Sequence, residues 1–511
     1  MTMQQKRQKT LSRLLADFAH IEDGQNVTVN GVEMDSRLVG RGELFLACRS
    51  VNGQAHGSTY ARSAFQSGAN AVAVDLCAGE VLSEDLQALA AEYSRPVVPV
   101  VDLDQKAGFI AARFFDYPSQ VVNVIGVTGT NGKTSVTQFI AQSLSRINRA
   151  CGVIGTLGTG LWGELNETGF TTPLGVAVQK TLAGFQAREV KDVVMEVSSH
   201  GLEQGRVNGV AFNLAVLTNL TRDHLDYHGD MESYAEAKKK LFLSDDLSAA
   251  IVNIDDDFGK RLLLDLHEGV ESVGYSLELD STRQVDKLVA GRLERLDHNG
   301  IVISVVTPWG KGKINSSLLG RFNAHNLLAV LSTLLVMDMP IEQAIEAVNA
   351  VVPPAGRMER FGGHESQPVV VVDYAHTPDA LRNVLSTLRD HCKGDLWVVF
   401  GCGGDRDAGK RSEMGGIAEI LADHIIVTDD NPRTEDAREI VSDILSGIHN
   451  HSVVTVEHDR EAAINLALKD AVSSDIVLIA GKGHEDYQII GREKRHFSDR
   501  EVVEQLLGVA A

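Results

Sequence analysis

The amino-acid sequence predicts an α/β protein of three domains, each built around a parallel or mixed β-sheet. The chain has 511 residues, and a domain usually contains roughly 100–200 residues. Short apolar runs rich in β-branched residues alternate with helical patterns, which is typical of parallel sheets. Prolines interrupt the chain at Pro118 and at Pro353-Pro354. We therefore expect domains at residues 1–104, 105–352 and 353–511.

Predicted strands recur in all three domains. In the first domain they are Glu43–Ala47, Ala71–Val74 and Pro96–Val101, with a helix over Ser58–Gly68. In the second domain they are Val121–Val127, Val193–Val197, Leu214–Leu217 and Ala250–Ile254. In the third domain they are Val369–Val372, Leu396–Phe400, His424–Val427 and Ile476–Ile479. Because helical patterns separate these strands, we expect sheets with helices packed on their faces.

Composition and charge exclude several classes of protein. The chain has 48 Lys and Arg against 69 Asp and Glu, a net charge of −21, whereas nucleic-acid coats and membrane-surface proteins need broad basic faces. Its five scattered cysteines include no CxxC pair, so neither a disulfide framework nor a zinc knuckle is predicted. Asp17 interrupts any N-terminal apolar segment, and the longest apolar stretch, Leu327–Met337, is too short to span a bilayer. We expect a cytoplasmic protein with no nucleic-acid partner and no membrane insertion.

A glycine-rich segment follows the first predicted strand of the second domain. It runs from Gly126 to Ser135 and reads GVTGTNGKTS. The backbone N–H groups of such a loop attract phosphate oxygens, and the following helix N-terminus adds its dipole. Lys133 can reach the outer phosphates, and the Thr134 hydroxyl can bind Mg²⁺. Five residues separate Gly126 from Gly132 where the common motif has four, so a plain glycine-rich turn is the alternative. The strand before the loop and the helix after it favour ATP or GTP binding.

Polar residues are dense at the ends of the next two predicted strands. Glu196 ends the first of them, where a phosphate-loop enzyme places a further Mg²⁺-directed carboxylate. A solvated carboxylate is the alternative. The segment after the second strand contains Asp223-His224. On spacing alone, these two side chains could equally ligate a metal or cap a helix.

The predicted helix Tyr234–Phe242 places a lysine among apolar residues. At 100° per residue, Lys238 falls within the apolar stripe, whereas Lys239 and Lys240 point to either side of it. A buried lysine needs a partner or loses its charge. A lysine with a lowered pKa could react with CO₂ to form a carbamate, an anionic group able to bind metal. The sequence alone leaves a carbamate and an unmodified amine as alternatives.

Several motifs together resemble the Mur ligases of peptidoglycan synthesis. They occur in the order of that family and cover the chain from about residue 105 onward: Thr128–Thr134, Glu196–His200, Thr218-Asn219, Asp223-His224, Ala237-Lys238, Asn323–Asn326 and Asp373–Pro378. The sequence TGTNGK[TS] is the phosphate loop of this family, which explains the displaced glycine. Asp35-Ser36-Arg37 resembles the UDP-sugar-binding domain of the family less specifically. The resemblance implies a central ATPase-type domain between an N-terminal UDP-binding domain and a C-terminal Rossmann-like domain.

The resemblance also implies roles for individual residues. Those implied for ATP are Gly129, Thr130, Asn131, Gly132, Lys133, Thr134, Ser135, Asn323, Asn326, Arg357, Asp373 and His376. Those implied for a UDP-muramoyl-dipeptide are Ser36, Thr171, Thr172, Ser198, Gln204 and Arg206. On sequence alone, a plain turn is an equal reading of Thr171-Thr172-Pro173. The resemblance implies two Mg²⁺ ions, one held by Thr134 and Glu196 and the other by His224 and carbamylated Lys238. It makes Lys133, Glu196, His224 and Lys238 the expected catalytic residues.

The C-terminal motifs resemble those of family members that add meso-diaminopimelate. Asp430-Asn431-Pro432-Arg433 matches their signature, and lysine-adding relatives lack this arginine. Meso-diaminopimelate carries a distal carboxylate that lysine lacks, and arginine can bind a carboxylate through two parallel hydrogen bonds. The residues implied for the amino acid are Arg406, Asp430, Asn431, Arg433, Gly481 and Glu485.

The implied reaction is an ATP-dependent ligation. ATP phosphorylates a carboxylate of UDP-N-acetylmuramoyl-L-Ala-D-Glu, and the amine of meso-diaminopimelate then displaces phosphate. Because the implied ATP contacts fall in two domains, we expect closure of the C-terminal domain to assemble the site. We expect a monomer.

The sequence was also compared with three other classes of protein. A lysine-adding ligase or a folylpolyglutamate synthetase would share the core motifs but not the signature that ends at Arg433. A GTP-binding regulator would carry an N-K-x-D motif, which is absent from the sequence. A dinucleotide-binding dehydrogenase is suggested by Gly401-Cys402-Gly403-Gly404, but Arg406 stands where the third glycine of that motif is needed.

Overall fold

The computed structural model describes residues 7–49, 56–278, 285–297, 299–364 and 367–508. These residues divide into two compact units, the first running up to Gly274 and the second made mostly of the residues from Leu288 onward. Within the described ranges, no helix is both long and apolar enough to cross a bilayer.

The first unit begins with a small parallel sheet. The four strands of this sheet are β3 (Val32–Glu33), β4 (Leu44–Ala47), β5 (Ala71–Leu76) and β6 (Val97–Val101), and they follow a separate antiparallel pair, β1 (Lys9–Thr10) and β2 (Thr28–Val29). Its helices are α1 (Leu11–Leu14), α2 (Ala61–Gln66), α3 (Glu84–Tyr93) and α4 (Leu103–Phe114), with 3₁₀ turns at Asp23–Gln25 and Gly57–Tyr60. Strands β3 to β6 pair in parallel in that order, and β1 pairs with β2 separately.

Alternation along these strands gives the small sheet two apolar faces. Leu44 and Leu46 belong to one buried cluster, whereas Phe45 and Ala47 belong to another. Successive side chains of a strand point to opposite faces, so a continuous apolar run marks a strand that is covered on both sides.

A larger sheet forms the rest of the first unit. Its strands are β7 (Asn123–Thr128), β8 (Cys151–Gly155), β9 (Gly158–Leu161), β10 (Glu164–Asn166), β11 (Asp192–Glu196), β12 (Leu214–Leu217), β13 (Ala249–Asn253) and β14 (Glu271–Ser276), the last of which contains the unit boundary. Its helices are α5 (Lys133–Arg146), α6 (Gly175–Ala187), α7 (Ser199–Glu203), α8 (Leu225–His228), α9 (Met231–Lys239) and α10 (Asp257–Leu262). Short 3₁₀ turns lie at Pro118–Gln120, Lys240–Leu243 and Leu263–Asp265.

The order of strands in this sheet places β7 at its centre. The order is β10-β9-β8-β11-β7-β12-β13, with β14 next. Strands β8, β11, β7, β12 and β13 are parallel, and β9 and β10 add an antiparallel edge. The loops that follow β7, β8, β11 and β12 therefore emerge at the same edge of the sheet, where ligands bind in open α/β sheets.

The second unit contains an antiparallel meander, two long helices and a parallel sheet. The meander is β15 (Lys287–Asp297), β16 (Gly300–Thr307) and β17 (Gly310–Ser316), followed by α11 (Arg321–Val336) and α12 (Ile341–Asn349). The remaining strands are β18 (Glu359–Gly362), β19 (Val369–Asp373), β20 (Leu396–Phe400), β21 (His424–Val427), β22 (Val454–Val456), β23 (Ile476–Ala480), β24 (Tyr487–Ile490) and β25 (Glu493–His496). The remaining helices are α13 (Pro378–His391), α14 (Gly409–Leu421), α15 (Ala437–Leu445), α16 (Arg460–Asp470) and α17 (Asp499–Leu507), with a 3₁₀ turn at His451–Val453.

The sheet of the second unit has the order β18-β19-β23-β20-β21-β22. All neighbours in it are parallel except β18, which is antiparallel to β19, and β24 and β25 form a separate hairpin. The predicted α/β fold with parallel and mixed sheets is confirmed. The sequence analysis did not predict the meander β15–β17, and the exact domain boundaries stay a prediction.

Candidate active site

The predicted phosphate loop lies between β7 and α5. Gly129 has φ +146° and Gly132 has φ +85°, values that favour glycine. A Cβ atom on Gly129 would overlap Thr218 Oγ1 at the end of β12, so the close approach of the two strands' loops also requires glycine there. No side chain caps α5, so the first N–H groups of that helix are left for an anionic ligand.

Residues after β12 hold the loop in place. The carbonyl oxygen of Asn219 accepts a hydrogen bond from Thr130 N at 2.8 Å, and the Oδ1 atom of Asn219 accepts one from Asn131 N at 3.0 Å. Thr218 Oγ1 donates to Asn131 O at 2.6 Å. The Thr218-Asn219 motif therefore positions the phosphate loop, a role that the sequence analysis did not assign to it.

Lys133 folds back over the phosphate loop. Its Nζ donates to Gly129 O and to Thr130 O, each at 2.9 Å. Burial lowers the pKa of Lys133, and the nearby carboxylates of Glu196 and Asp223 oppose this shift. The ammonium thus lies beside the cradle of backbone N–H groups, where an incoming phosphate could replace the two carbonyl acceptors.

Glu196 ends β11 and is fully buried. Its Oε2 accepts a hydrogen bond from Thr134 Oγ1 at 2.9 Å, and its Oε1 accepts one from Thr156 N at 2.8 Å. Burial raises the pKa of Glu196. A carboxylate and a hydroxyl in contact are oxygen ligands of the kind that Mg²⁺ prefers, so Thr134 and Glu196 fit the first implied ion.

Thr156 is a site residue that the sequence analysis missed. It follows β8, and its Oγ1 lies 3.1 Å from Glu196 Oε2 and 3.0 Å from Thr171 Oγ1. The available signal was its position directly after an apolar run, Cys151–Gly155. That run contains two glycines, which weaken a strand prediction.

His224 has a left-handed backbone conformation, which is unusual for a residue other than glycine. Its φ is +53°, and it precedes α8 without forming a side-chain cap. Its ring lies edge-on to His200, with centroids 4.8 Å apart, and 6.0 Å from the ring of Tyr234. The sequence left two roles open for His224, metal ligation and helix capping. Capping by its side chain is not observed. Among the described residues, no group of three or more His, Cys, Asp or Glu side chains is arranged to hold a metal.

Lys238 is buried in α9, as its place in the apolar stripe predicts. Only 1% of the residue is exposed, and Nζ donates to Gly129 O at 2.8 Å. The same nitrogen lies 4.4 Å from the centre of the Tyr234 ring. Burial, with the positive charge of Lys133 as a second cause, lowers the pKa of Lys238 to about 6. At neutral pH its side chain is therefore mainly a free amine, which is a nucleophile.

The neighbouring lysines are more exposed than Lys238. The Lys239 side chain is 20% exposed and that of Lys240 is 48% exposed, and both form ion pairs with carboxylates. The predicted helix over 234–242 begins earlier, at Met231, and continues beyond Lys239 as a 3₁₀ turn. The inference that only Lys238 is buried is confirmed.

The residues implied for the muramoyl-dipeptide form one network next to Glu196, apart from Ser36. Thr172 Oγ1 donates to Glu196 O at 3.0 Å and accepts a hydrogen bond from Ser198 N at 3.0 Å. Arg206 donates to Thr172 O at 2.9 Å and to Gln204 Oε1 at 2.9 and 2.6 Å. Thr171 reaches Glu196 through Thr156.

Ser36 lies in the turn that follows β3 of the small N-terminal sheet. It lies between Asp35 and Arg37, whose side chains form an ion pair at 2.6 Å. This pairing lowers the pKa of Asp35. The segment lies at the carboxyl end of a parallel strand, a common place for ligand binding.

In the second unit, two buried asparagines lie one turn apart on α11. Asn326 Nδ2 donates to Asn323 Oδ1 at 3.0 Å, and Asn323 Nδ2 donates to Leu319 O at 2.8 Å. Just before this helix, Gly320 N donates to His391 Nε2 at 2.7 Å, while His391 Nδ1 lies 2.7 Å from Asp297 O. The histidine must therefore be neutral, with its proton on Nδ1.

Other residues implied for ATP surround Tyr374. Asp373 ends β19 and accepts hydrogen bonds from Met358 N at 2.7 Å and Ala375 N at 2.8 Å; burial raises its pKa. The Arg357 guanidinium lies 5.1 Å from the Tyr374 ring centre. The buried Nε of Arg357 has no hydrogen-bond partner among the residues that the structure describes. The exposed His376 lies 4.6 Å from Tyr374, ring to ring.

The residues implied for the amino acid follow the carboxyl ends of three adjacent parallel strands. Arg406 follows β20, Asp430 to Arg433 follow β21, and Gly481 to Glu485 follow β23. The positions of these strands therefore bring together segments that are more than seventy residues apart along the chain.

Arg433 is held in a conformation that is rare for residues other than glycine. Its φ is +52°, a state that costs roughly 1–3 kcal/mol. Its N–H donates to Ile489 O at 3.0 Å in the hairpin β24–β25, and its Nη1 donates to Gly404 O at 2.8 Å. The hairpin and the loop after β20 together orient the guanidinium.

Asn431 and Glu485 are in direct contact. Asn431 Nδ2 donates to Glu485 Oε2 at 3.0 Å. Gly481 has φ +120°, and a Cβ atom there would lie 2.6 Å from Asp430 Oδ2. The backbone at Gly481 thus approaches Asp430 as closely as glycine alone permits.

The fold and these sites together define a nucleotide-binding α/β enzyme. Comparison with known proteins is more specific. Three family models match in succession: "Mur ligase family, catalytic domain" over residues 28–115, "Mur ligase middle domain" over 127–334, and "Mur ligase, glutamate ligase domain" over 356–483. The chain belongs to the Mur ligase family and contains its three domains.

Similar proteins cover nearly the whole chain. UDP-N-acetylmuramoyl-L-alanyl-D-glutamate--2,6-diaminopimelate ligase of Xanthomonas campestris pv. campestris strain 8004 is 46% identical over 98% of each chain. The protein of the same name from Vibrio vulnificus is 44% identical over 98% of this chain and 99% of its own. A solved structure of an enzyme of this name is 35% identical, with a TM-score of 0.73, and covers 98% of this chain and 99% of its own.

Proposed function

We propose that this ligase uses ATP to join meso-diaminopimelate to UDP-N-acetylmuramoyl-L-Ala-D-Glu in peptidoglycan precursor synthesis. One observation carries the proposal: Arg406, the segment Asp430–Arg433 and Glu485 lie at the carboxyl ends of adjacent strands in one sheet. The names of the relatives similar over the whole chain support the same substrates.

The proposed reaction has two steps. An oxygen of the D-Glu side-chain carboxylate attacks the γ-phosphorus of ATP, which releases ADP and forms an acyl phosphate. The neutral amine of meso-diaminopimelate then attacks the acyl carbon, and the resulting tetrahedral intermediate expels phosphate and loses a proton. Phosphoryl transfer between anions depends mainly on alignment and charge neutralisation. Lys133 and the N–H groups of the phosphate loop supply both.

The residues around the phosphate loop suit a divalent cation. Thr134 and Glu196 would hold one Mg²⁺, and His224 with a carbamylated Lys238 would hold a second. Bound Mg²⁺ would neutralise phosphate charge beyond what Lys133 supplies. The contact between Thr134 Oγ1 and the buried Glu196 carboxylate supports the first assignment.

The carbamate on Lys238 follows from its neutral amine. The Nζ lone pair would attack CO₂, form an N–C bond and release one proton, leaving a carbamate anion. Burial makes this chemistry available by holding the pKa of Lys238 at about 6. An oxygen anion suits Mg²⁺, whereas an ammonium would repel it.

The proposed substrates match the charges of their sites. Arg206, with Thr171, Thr172, Ser198 and Gln204, would bind the muramoyl-dipeptide, and Ser36 would contact its uridine diphosphate. Arg406 and Arg433 would bind carboxylates of meso-diaminopimelate, and Glu485 would bind an ammonium group. Asn323, Asn326, Arg357, Asp373 and His376 would contact ATP. Use of ATP and a UDP-linked precursor supports a cytoplasmic location. We also expect a monomer, which sedimentation analysis can test.

The decisive experiment measures ADP release with the UDP-linked dipeptide as acceptor. We expect meso-diaminopimelate to stimulate ADP release far more than L-lysine, and neither amine to act without the dipeptide. Preferential use of L-lysine would identify a lysine-adding ligase instead. ATP hydrolysis that no amine stimulates would contradict the ligase reaction.

A further inference from the structure

Lys482 is a buried lysine for which the proposed reaction has no use. It lies between Gly481 and Glu485, just after β23, and its side chain is fully buried. A fully buried lysine is rare unless it is paired with other groups. Its partners therefore indicate what it does.

Both hydrogen-bond acceptors of Lys482 are residues implied for amino-acid binding, and its Nζ also lies 5.7 Å from the centre of the Tyr487 ring. Its Nζ lies 3.2 Å from Asn431 Oδ1 and 3.4 Å from Glu485 Oε2. Because ammonium groups only donate, Asn431 must direct its oxygen toward Lys482. A second donor, Ile489 N at 2.9 Å, selects the same amide orientation.

The orientation of the Asn431 amide decides whether Asn431 can donate a hydrogen bond to Glu485. With its oxygen engaged by Lys482 and Ile489, Asn431 directs Nδ2 to Glu485 Oε2. Lys482 and Asn431 thus both donate to the same oxygen of Glu485. These two contacts set the direction of the Glu485 carboxylate, which also interacts with the Tyr487 side chain.

A second buried cation lies behind this group. Arg460 and Asp499 are fully buried and paired at 2.7 Å, and Arg460 Nη2 donates to Ala480 O at 3.0 Å, next to Gly481. The charges of Asp430, Glu485 and Asp499 raise the pKa of Lys482, and the charge of Arg460 lowers it. Three carboxylates thus act on Lys482 and raise its pKa against the effect of burial.

We propose that Lys482 is a positioning residue for the amino-acid substrate, because it orients Asn431 and Glu485 to receive a substrate ammonium group. This inference rests on the proposed function. Lys482 does not contact the substrate; it donates to Glu485 Oε2 and keeps the amide of Asn431 from turning over. Its loss therefore affects amino-acid binding before it affects ATP or turnover.

The test compares Lys482→Met with a matched surface variant. Methionine retains the length of the side chain and removes its charge. Lys469 is an exposed lysine on α16, and Lys469→Met is the control. We expect Lys482→Met to raise the KM for meso-diaminopimelate by roughly 10- to 100-fold, the usual effect of losing a hydrogen bond to a charged group. The KM for ATP and kcat at saturating amino acid should change less than about threefold.

A double variant tests whether Lys482 acts through Glu485. If it does, Lys482→Met combined with Glu485→Gln should raise the KM little more than Glu485→Gln alone. Two effects that multiply would overturn the positioning role. If Lys482→Met does not fold, Lys482→Gln retains one donor and is expected to give a smaller increase in the same KM.

The outcomes separate the two proposals. A wild-type enzyme that does not use meso-diaminopimelate overturns the proposed function together with this inference. An active wild type with an unchanged amino-acid KM in Lys482→Met overturns the inference alone. Equal changes in the KM for ATP and for the amino acid would show a general structural role and would also overturn it.

Discussion

Lys238 and Lys482 are both buried lysines in predicted sites, but their surroundings differ. Lys238 meets a backbone carbonyl, the ring of Tyr234 and the like charge of Lys133. Lys482 meets the carboxylate of Glu485, with the charge of Asp430 close by. Burial lowers the pKa of both; one carboxylate, Asp223, opposes the shift at Lys238, whereas Asp430, Glu485 and Asp499 oppose it at Lys482.

The difference shows how the partners of a buried amine decide its chemistry. Beside a backbone carbonyl, an aromatic ring and a like charge, Lys238 loses its proton and becomes a nucleophile that can take up CO₂. Lys482 instead lies within hydrogen-bond distance of a carboxylate. The predictions below test this contrast, from the largest expected effect to the smallest.

Removing the Lys238 amine should have the largest effect. We expect Lys238→Ala to lower kcat by roughly 10²–10³-fold, the usual effect of losing one group that stabilises charge in the transition state. Lys238→Arg should be equally inactive, because a guanidinium stays protonated and forms no carbamate. Steady-state assays measure both variants.

The carbamate itself can be observed by ¹³C NMR with labelled bicarbonate. A carbamate signal should be present in the wild type, absent from Lys238→Ala and weaker below pH 6, where the amine becomes protonated. An inactive Lys238→Ala variant without any carbamate signal in the wild type would assign the unmodified amine to catalysis instead.

Replacing the guanidinium of Arg433 by an ammonium group should weaken binding of meso-diaminopimelate rather than lower kcat. Arg433→Lys retains the charge but loses the two parallel donors. We expect the KM for meso-diaminopimelate to rise about 10- to 100-fold, with the KM for ATP unchanged. Isothermal titration calorimetry provides an independent affinity. An unchanged affinity would remove Arg433 from carboxylate recognition.

The two lysines should have opposite effects on stability. Lys482→Met should lower the free energy of unfolding by about 1–3 kcal/mol, because it leaves the Glu485 carboxylate poorly paired. Lys238→Met should raise it by about 1–4 kcal/mol in CO₂-free buffer, because no buried anion loses a partner. Urea denaturation measures both changes.

The stability gain from Lys238→Met should depend on pH. The unfolded state of the wild type binds more protons between about pH 6 and 10.5, the folded and ordinary pKa values of Lys238. Wild-type stability therefore rises with pH in this range, and the advantage of the variant should be greater at pH 7 than at pH 10. A constant difference would show that Lys238 is charged in the folded protein.

The smallest expected effect concerns the stability that the buried side chain of His391 contributes. It extends the comparison of Lys238 and Lys482 to a third buried basic residue. Its Nε2 accepts a hydrogen bond from Gly320 N, and burial lowers the pKa of His391 from its ordinary 6.5. Stability due to the neutral ring is complete above pH 6.5 and is lost as the pH falls through the folded pKa, by at most about 1.4 kcal/mol per pH unit. His391→Asn retains an acceptor and a donor without titrating, so it should weaken the acid dependence of urea unfolding.

Much of the fold was predictable because strands and phosphate loops have local signals. The runs ending near Thr128, Leu217 and Phe400 lie in parallel strands at or close to the expected residues. The meander β15–β17 was missed because its edge strands mix exposed charged residues with apolar ones. Such antiparallel pairing depends on neighbours that the local sequence does not reveal.

Site residues were predictable where chemistry and motif coincide in one segment. Lys133 and the apolar stripe around Lys238 are examples. Thr156 was missed because its contacts are with Thr171 and with Glu196, the latter forty residues away along the chain. Lys482 lies between two residues implied for amino-acid binding, Gly481 and Glu485, but its role depends on Asn431, which another strand brings into contact with it.

The sequence by itself determined the α/β class, the family resemblance and the identity of the charged groups. These depend on periodicity, glycine spacing and residue chemistry, all of which are local. Only the tertiary structure decided which amines have an anionic partner, and hence which are charged. The reason is that a pKa depends on burial and on charges within a few ångströms, and such neighbours are brought together only when strands far apart in the chain pack side by side.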